Sequence, residues 1–88
     1  MKDNNKHNAI ILKSLANYNR LKILTLLNEH ELNVGQLEKM LDLSQSALSQ
    51  HLAVLRNNKI VKTRRVAQTI YYSLDNNLVK QILKLLEQ

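Results

Sequence analysis

Leu43-Ser44-Gln45-Ser46-Ala47-Leu48-Ser49-Gln50-His51-Leu52-Ala53-Val54-Leu55-Arg56 is the stretch on which the fold turns. Ser44 stands where a helix N-cap belongs, because its side-chain oxygen can accept the free amide protons of a first turn. The helix behind it is expected to run to about residue 57. With Leu48 at zero on a wheel of about 100° per residue, Leu52 and Leu55 fall within roughly 40° and define the buried side. Ser46, Gln50 and Ala53 lie within about 40° of the opposite pole, with Ser49 on the flank and Gln45 in the first turn. His51 sits about 70° from the buried centre, where it can meet a ligand of the outward face or pack at the helix boundary and bond a neighbour, the packing role being favoured.

The flanks of this helix supply the rest of a pattern. Residues from about 5 to 16 read as a helix with Ala9, Leu12 and Ala16 in one stripe, and Tyr18 to Asn28 as a second, with Leu21, Leu24 and Leu27 at helical spacing. Asn33, with Gln36 three residues on, looks like a variant capping box opening a short helix whose Val34, Leu37, Met40 and Leu41 face inward. Asp42 and Leu43 are then a tight connection. After Asn57-Asn58 the period drops to two. Residues 60–66 and 69–74 read as a hairpin with Ile70, Tyr72 and Leu74 on one face. Ala67-Gln68 is poor chemistry for a two-residue turn, since neither residue favours positive φ, so a longer and mobile tip is expected. From Asn76 onward the apolar residues fit a last helix. The expected class is mainly α with a small β-hairpin, in the order α-α-α-α-β-β-α, the winged helix-turn-helix plan.

Composition bounds the function. A chain of 88 residues reads as one domain over 1–88. At that size only about 60–65% of the unfolded surface is hidden, so a second copy would add useful burial. The apolar fraction of 44% is that of a globular chain, and one Gly and no Pro let helices run unbroken. No apolar run exceeds four residues, as at Ala9 to Leu12, and the amino-terminal stretch is polar, so a cytoplasmic protein without a membrane span is expected. The absence of cysteine excludes disulfides, thiolate zinc and a cysteine redox switch. The net charge of +6 is unevenly spread, for no acidic residue lies between Leu43 and Leu74. Arg56, Lys59, Lys62, Arg64 and Arg65 all fall in that interval, a basic footprint suited to a polyanion.

A polar, small, uncharged helix face suits a DNA major groove. Gln can pair bidentately with adenine, Ser can bond most base edges, and Ala can rest on a thymine methyl. The free amides at the Ser44 end can hold a phosphate. Gln45, Ser46, Ser49 and Gln50 are therefore the candidate base-reading residues. Long cations on a hairpin can follow the phosphate backbone or enter a minor groove, so Lys62, Arg64 and Arg65, with Gln68 and Thr69 near the tip, join Ser44 and Arg56 as candidate backbone and wing contacts. The same features have a plainer reading as a solvated helix face and a charged β-edge that resists aggregation.

The run from Leu43 to Leu52, with Val54-Leu55-Arg56, resembles the recognition helix of the ArsR/SmtB repressors. Arg20-Leu21-Lys22-Ile23-Leu24, Arg64-Arg65 and Ile70-Tyr71-Tyr72-Ser73-Leu74 fit the same family over about residues 9 to 86. The likeness is greatest to its biofilm- and sulfide-responsive branch. It implies a homodimer joined through the first and last helices, an inverted-repeat operator in double-stranded DNA, and repression relieved by an effector. It implies the base and wing roles above for Gln45, Ser46, Ser49 and Gln50 and for Arg64, Arg65, Gln68 and Thr69.

The chain departs from the family where family members sense. Thiolate metal sensors carry two cysteines where this chain has Glu31-Leu32-Asn33-Val34-Gly35. Members with zinc on the last helix open it with Asp-x-His, and the matching residues are Asp75-Asn76-Asn77. The cysteine pair of the sulfide-responsive members is absent, and His7, His30 and His51 share no ligand spacing. No metal, no cofactor and no identified effector are expected, since zinc needs three or four protein ligands.

The last helix argues for pairing on its own terms. Leu78, Ile82 and Leu85 form one stripe, and Val79, Leu83 and Leu86 widen the apolar arc to about 160°. A thin core cannot use that width, whereas a two-fold pair can. Ile11, Leu12 and Leu15 of the first helix and Leu78, Val79, Ile82, Leu83 and Leu86 of the last are the expected dimer interface. Recognition helices would then stand about 34 Å apart, one turn of DNA. A winged helix that binds protein rather than DNA is the rival reading. An enzyme is disfavoured, with no Cys nucleophile, placeable catalytic constellation or Gly-rich phosphate loop. RNA binding is disfavoured because Tyr18, Tyr71 and Tyr72 are the only aromatics.

Overall fold

A computed structural model describes residues 3–87. The chain runs α1 (Asn5–Leu15), α2 (Tyr18–Glu29), β1 (Leu32–Asn33), α3 (Val34–Met40), α4 (Gln45–Asn57), β2 (Val61–Val66), β3 (Thr69–Leu74) and α5 (Asn77–Leu86). It is a winged helix-turn-helix: α3 and α4 pack together across a four-residue connection, and the β2–β3 hairpin follows.

Side-chain caps set where most helices begin. The Asn17 side chain accepts from the Arg20 amide at 3.0 Å, Ser44 Oγ from the Ala47 amide at 3.1 Å, and Asn76 from the Val79 amide at 3.1 Å. Asn33 and Gln36 close a reciprocal capping box at 2.8 and 2.9 Å, as their spacing requires. The far end of α4 is equally defined. Lys59 takes φ 58°, its amide donates to Arg56 O at 3.0 Å, and the Ile60 amide donates to Leu55 O at 2.9 Å. That is a Schellman motif, and the two residues that accompany it, Leu55 and Ile60, are both fully buried. It fixes the angle at which the chain leaves α4 for the wing.

One apolar cluster draws on every helix and on the strands, with Ile11, Ile23, Leu24, Leu37, Leu48, Leu52, Leu55, Ile60 and Val79 at its centre. Leu48, Leu52 and Leu55 are its share from α4, the same three that the wheel assigns to the inside.

Several features differ from the sequence reading. Met40, expected inside, is 51% exposed, and on α1 the core takes Ile11, Ser14 and Leu15 while Ala9, Leu12 and Ala16 stay exposed. A third strand exists: β1 pairs antiparallel with β3, Leu32 opposite Tyr72 and Asn33 opposite Tyr71, giving the order β1-β3-β2. Two residues carry no periodicity, so only the pairing reveals them. The hairpin tip is tight rather than long. Val66 pairs with Thr69 across a two-residue turn, and Ala67 accepts φ 54°. The Arg65 side chain offsets part of that strain by donating from Nε to Ala67 O at 3.0 Å. The expected apolar face of β3 is buried only at its base, where Leu74 meets Val61; Ile70 near the tip is 40% exposed.

Candidate nucleic-acid interface

The helix α4 is about 20 Å long at 1.5 Å per residue, enough to lie within one groove. Gln45, Ser46, Ser49, Gln50 and Ala53 are all exposed on it, and none carries a charge. Their side chains make no hydrogen bond within the chain among the described residues, so their polar atoms are free for a ligand. Ser44 is exposed too, but its hydroxyl is engaged in the N-cap. Arg56 is exposed in the last turn.

The wing places its candidates unequally. Beyond Val61, every residue of β2 is exposed. Lys62 approaches Asp75 only to 4.0 Å, with both side chains well solvated, a contact of little strength. Gln68 is exposed and Thr69 half-buried. Arg65 spends one N–H on the turn and keeps its other donors. Arg64, expected among the backbone and wing contacts, is engaged within the chain. Its Nε lies 3.1 and 3.0 Å from the two carboxylate oxygens of Glu31, and its other nitrogen lies 2.6 Å from Oε1. The guanidinium carbon also lies 5.2 Å from the centre of the Tyr71 ring. These bonds hold the Glu31 carboxyl below its usual range and raise Arg64. No acidic residue follows Leu43 until Asp75, so only the fold could bring Glu31 to the wing.

A second polar cluster ties α1 and α2 to α4. Arg20 donates from Nε to Ser14 O at 2.7 Å and reaches Lys13 O at 3.5 Å, capping the carbonyls at the end of α1. Another of its nitrogens lies 3.4 Å from His51 Nδ1. Ser14, 3% exposed, donates to Ile10 O and accepts from Asn58 Nδ2 at 2.7 Å. His51 is thus a boundary residue bonded to a neighbour. Burial, then the adjacent Arg20, holds its imidazole below the usual value. The neutral form is the one that can accept from Arg20. Sequence reading assigns Arg20, Ser14 and Asn58 no such role, because the contacts that join them to other elements, Arg20 to His51 and Asn58 to Ser14, span 31 and 44 residues.

The expected dimer face needs correction. Ile11, Leu15, Val79 and Leu83 are buried in the chain's own core, at 1, 5, 0 and 6% exposure, and so have no area left for a second copy. Leu12, Leu78 and Leu86 are 54, 44 and 61% exposed, and Ile82 is half-buried. Leu85, omitted from the expected interface, is 68% exposed and falls in the Leu78–Ile82 stripe. Helical geometry explains the shift: two apolar stripes some 100° apart share α5, and the core takes the Val79–Leu83 one.

Among the described residues no three His, Asp or Glu side chains come together as a metal site, and no helix is long and apolar enough to cross a membrane.

Comparison with known proteins places this geometry. Residues 17–63 match the family described as bacterial regulatory protein, arsR family. The chain is 48% identical over 88 residues to the transcriptional activator HlyU of Vibrio cholerae, covering all of this chain and 82% of that protein. It is 44% identical over 78 residues to the biofilm growth-associated repressor of Agrobacterium fabrum, covering 89% of this chain and 67% of that one. The solved structure of HlyU from Vibrio cholerae superimposes with a TM-score of 0.91 at 48% identity, covering 99% of this chain and 95% of that chain.

Proposed function

The chain belongs to the arsR family of bacterial regulatory proteins and is a DNA-binding transcription regulator; from that premise we propose that it is a cytoplasmic homodimeric repressor of an inverted-repeat operator. One observation carries the reading. Ahead of Arg56, the outward face of α4 is a set of uncharged side chains with no bond inside the chain among the described residues, and it lies next in sequence to a hairpin whose outer strand bears cations. Gln can pair bidentately with adenine and Ser can bond most base edges, and unengaged donors and acceptors on an outward helix face are what such bonding needs. Gln45, Ser46, Ser49 and Gln50 take the base edges. Ser44 offers the helix amides, and Arg56, Lys62, Arg65, Gln68 and Thr69 follow the phosphates.

Pairing buries the stripe of Leu78, Ile82 and Leu85 on α5, with the exposed Leu86 beside it and Leu12 of α1, against its two-fold copy. Occupancy of the operator then lowers transcription. The name repressor is carried by the Agrobacterium relative and by PagR of Bacillus anthracis, 46% identical over 79 residues.

Selection of bound duplexes from a random pool tests the reading. The expected result is an inverted repeat with half-sites about 10 base pairs apart. Equal recovery of all duplexes at moderate salt would refute it.

A further inference from the structure

The outer half of the wing has little to hold it. Strand β1 is only two residues long and reaches β3 no further than Asn33 opposite Tyr71. Beyond that pair, Arg65 to Ile70 form a two-stranded ribbon with no third strand and almost no burial. Such a ribbon is marginal by itself in water.

Arg64 sits at the boundary. It pairs with Tyr71 on β3, and Tyr71 pairs on its other side with Asn33 of β1. From β2 the Arg64 side chain crosses over the Tyr71 ring and meets Glu31, just before β1, through three contacts of 2.6 to 3.1 Å. The clamp therefore spans all three strands, about 10 Å at ordinary strand spacing. Among the described residues Arg64 and Glu31 are the one pair joined by side-chain hydrogen bonds between the hairpin and a distant part of the chain. A forked guanidinium on both oxygens of a carboxylate is the geometry in which a solvated ion pair still orders its surroundings.

We propose that Glu31 is a positioning residue for DNA binding, and that Arg64 is its brace rather than a phosphate ligand, the two holding the wing at the angle from which Arg65 reaches the backbone. This rests on the DNA-binding reading above. Its sign is opposite to that of simple electrostatics. Replacing an acidic residue by a neutral one on a protein of charge +6 should tighten its hold on a polyanion. If Glu31 orders the wing, removing its charge loosens that hold.

The test is fluorescence anisotropy with the selected operator duplex and a scrambled duplex, for the wild type, Glu31→Gln, Arg64→Gln and the double variant. Hydrogen exchange at the amides of 65–70 is measured in parallel. Glu31→Gln is expected to weaken operator binding about threefold and to speed exchange at the tip. Arg64→Gln is expected to do the same, and the double variant no more than either, since the pair acts as one unit. Tighter binding by Glu31→Gln overturns the proposal and makes Glu31 a competitor of DNA for Arg64. Loss in Arg64→Gln with none in Glu31→Gln overturns it also, and makes Arg64 a phosphate contact. Failure of the DNA-binding reading is distinguishable, because the wild type itself then shows no preference between the two duplexes.

Discussion

Replacing Lys59 by glycine should stabilise the protein, although it removes a positive charge and adds backbone freedom. Lys59 occupies the left-handed region at φ 58°, immediately after the helix that carries the base-reading face. A side chain there costs about 1–2 kcal/mol, because Cβ crowds the following carbonyl. Glycine relieves that cost and gives back about 0.5–1 kcal/mol through the wider freedom of the unfolded chain. The difference is about 0.7 kcal/mol in favour of glycine. The Lys59 side chain is exposed, and both bonds of the motif are made by backbone groups, so nothing offsets this gain. With about 2.1 cal/mol/K per residue, 88 residues give an unfolding entropy near 0.18 kcal/mol/K, and Tm should rise by about 4 °C. Thermal unfolding followed by circular dichroism reads this directly, at one fixed protein concentration because pairing makes Tm depend on concentration. Lys59→Ala is the control: it removes the same charge and keeps the Cβ, and its Tm should stay near the wild type. A glycine variant that melts no higher than the alanine variant would refute the reasoning, for the helix exit would then hold no left-handed strain.

Other perturbations address the interface and the pairing. Gln45→Ala and Ser49→Ala should each weaken operator binding by about 1–3 kcal/mol and relax base preference, and unchanged discrimination in both would remove them from base reading. Arg65→Ala should lower affinity alike on all duplexes and make the salt slope shallower by about 1, measured by titrations from low to moderate salt. Leu85→Asp places a charge on the exposed stripe of α5 and should yield a folded monomer in sedimentation; Leu83→Asp strikes the core and should lower Tm instead. The lowered His51 value also sets a pH dependence. The unfolded chain takes up the His51 proton at a higher pH than the folded one. Stability from this group is therefore complete above about pH 6.5 and declines as pH falls through the lowered folded value. His51→Gln should flatten that part of the Tm profile, and an unaltered profile would assign the dependence elsewhere.

Periodicity and capping chemistry carry the helix-turn-helix, because they are local. A Leu stripe at Leu48, Leu52 and Leu55 has one way to be buried, and Ser44, Asn33 and Gln36 find their partners three residues away. The uncharged outward face of α4 is legible for the same reason, as the complement of that stripe. What depends on groups far apart in the chain was decided only by tertiary packing. Glu31 meets Arg64 across 33 residues, Asn58 meets Ser14 across 44, and β1 exists only because β3 lies beside it. The choice of which stripe on α5 faces inward is of that kind too. Both are apolar, so hydropathy alone does not rank them; the core that α5 docks on takes Val79 and Leu83 and leaves Leu78 and Leu85 in water. The tight turn at Ala67 follows the same logic, since the pairing of Val66 with Thr69 imposes a positive φ that the residue itself disfavours.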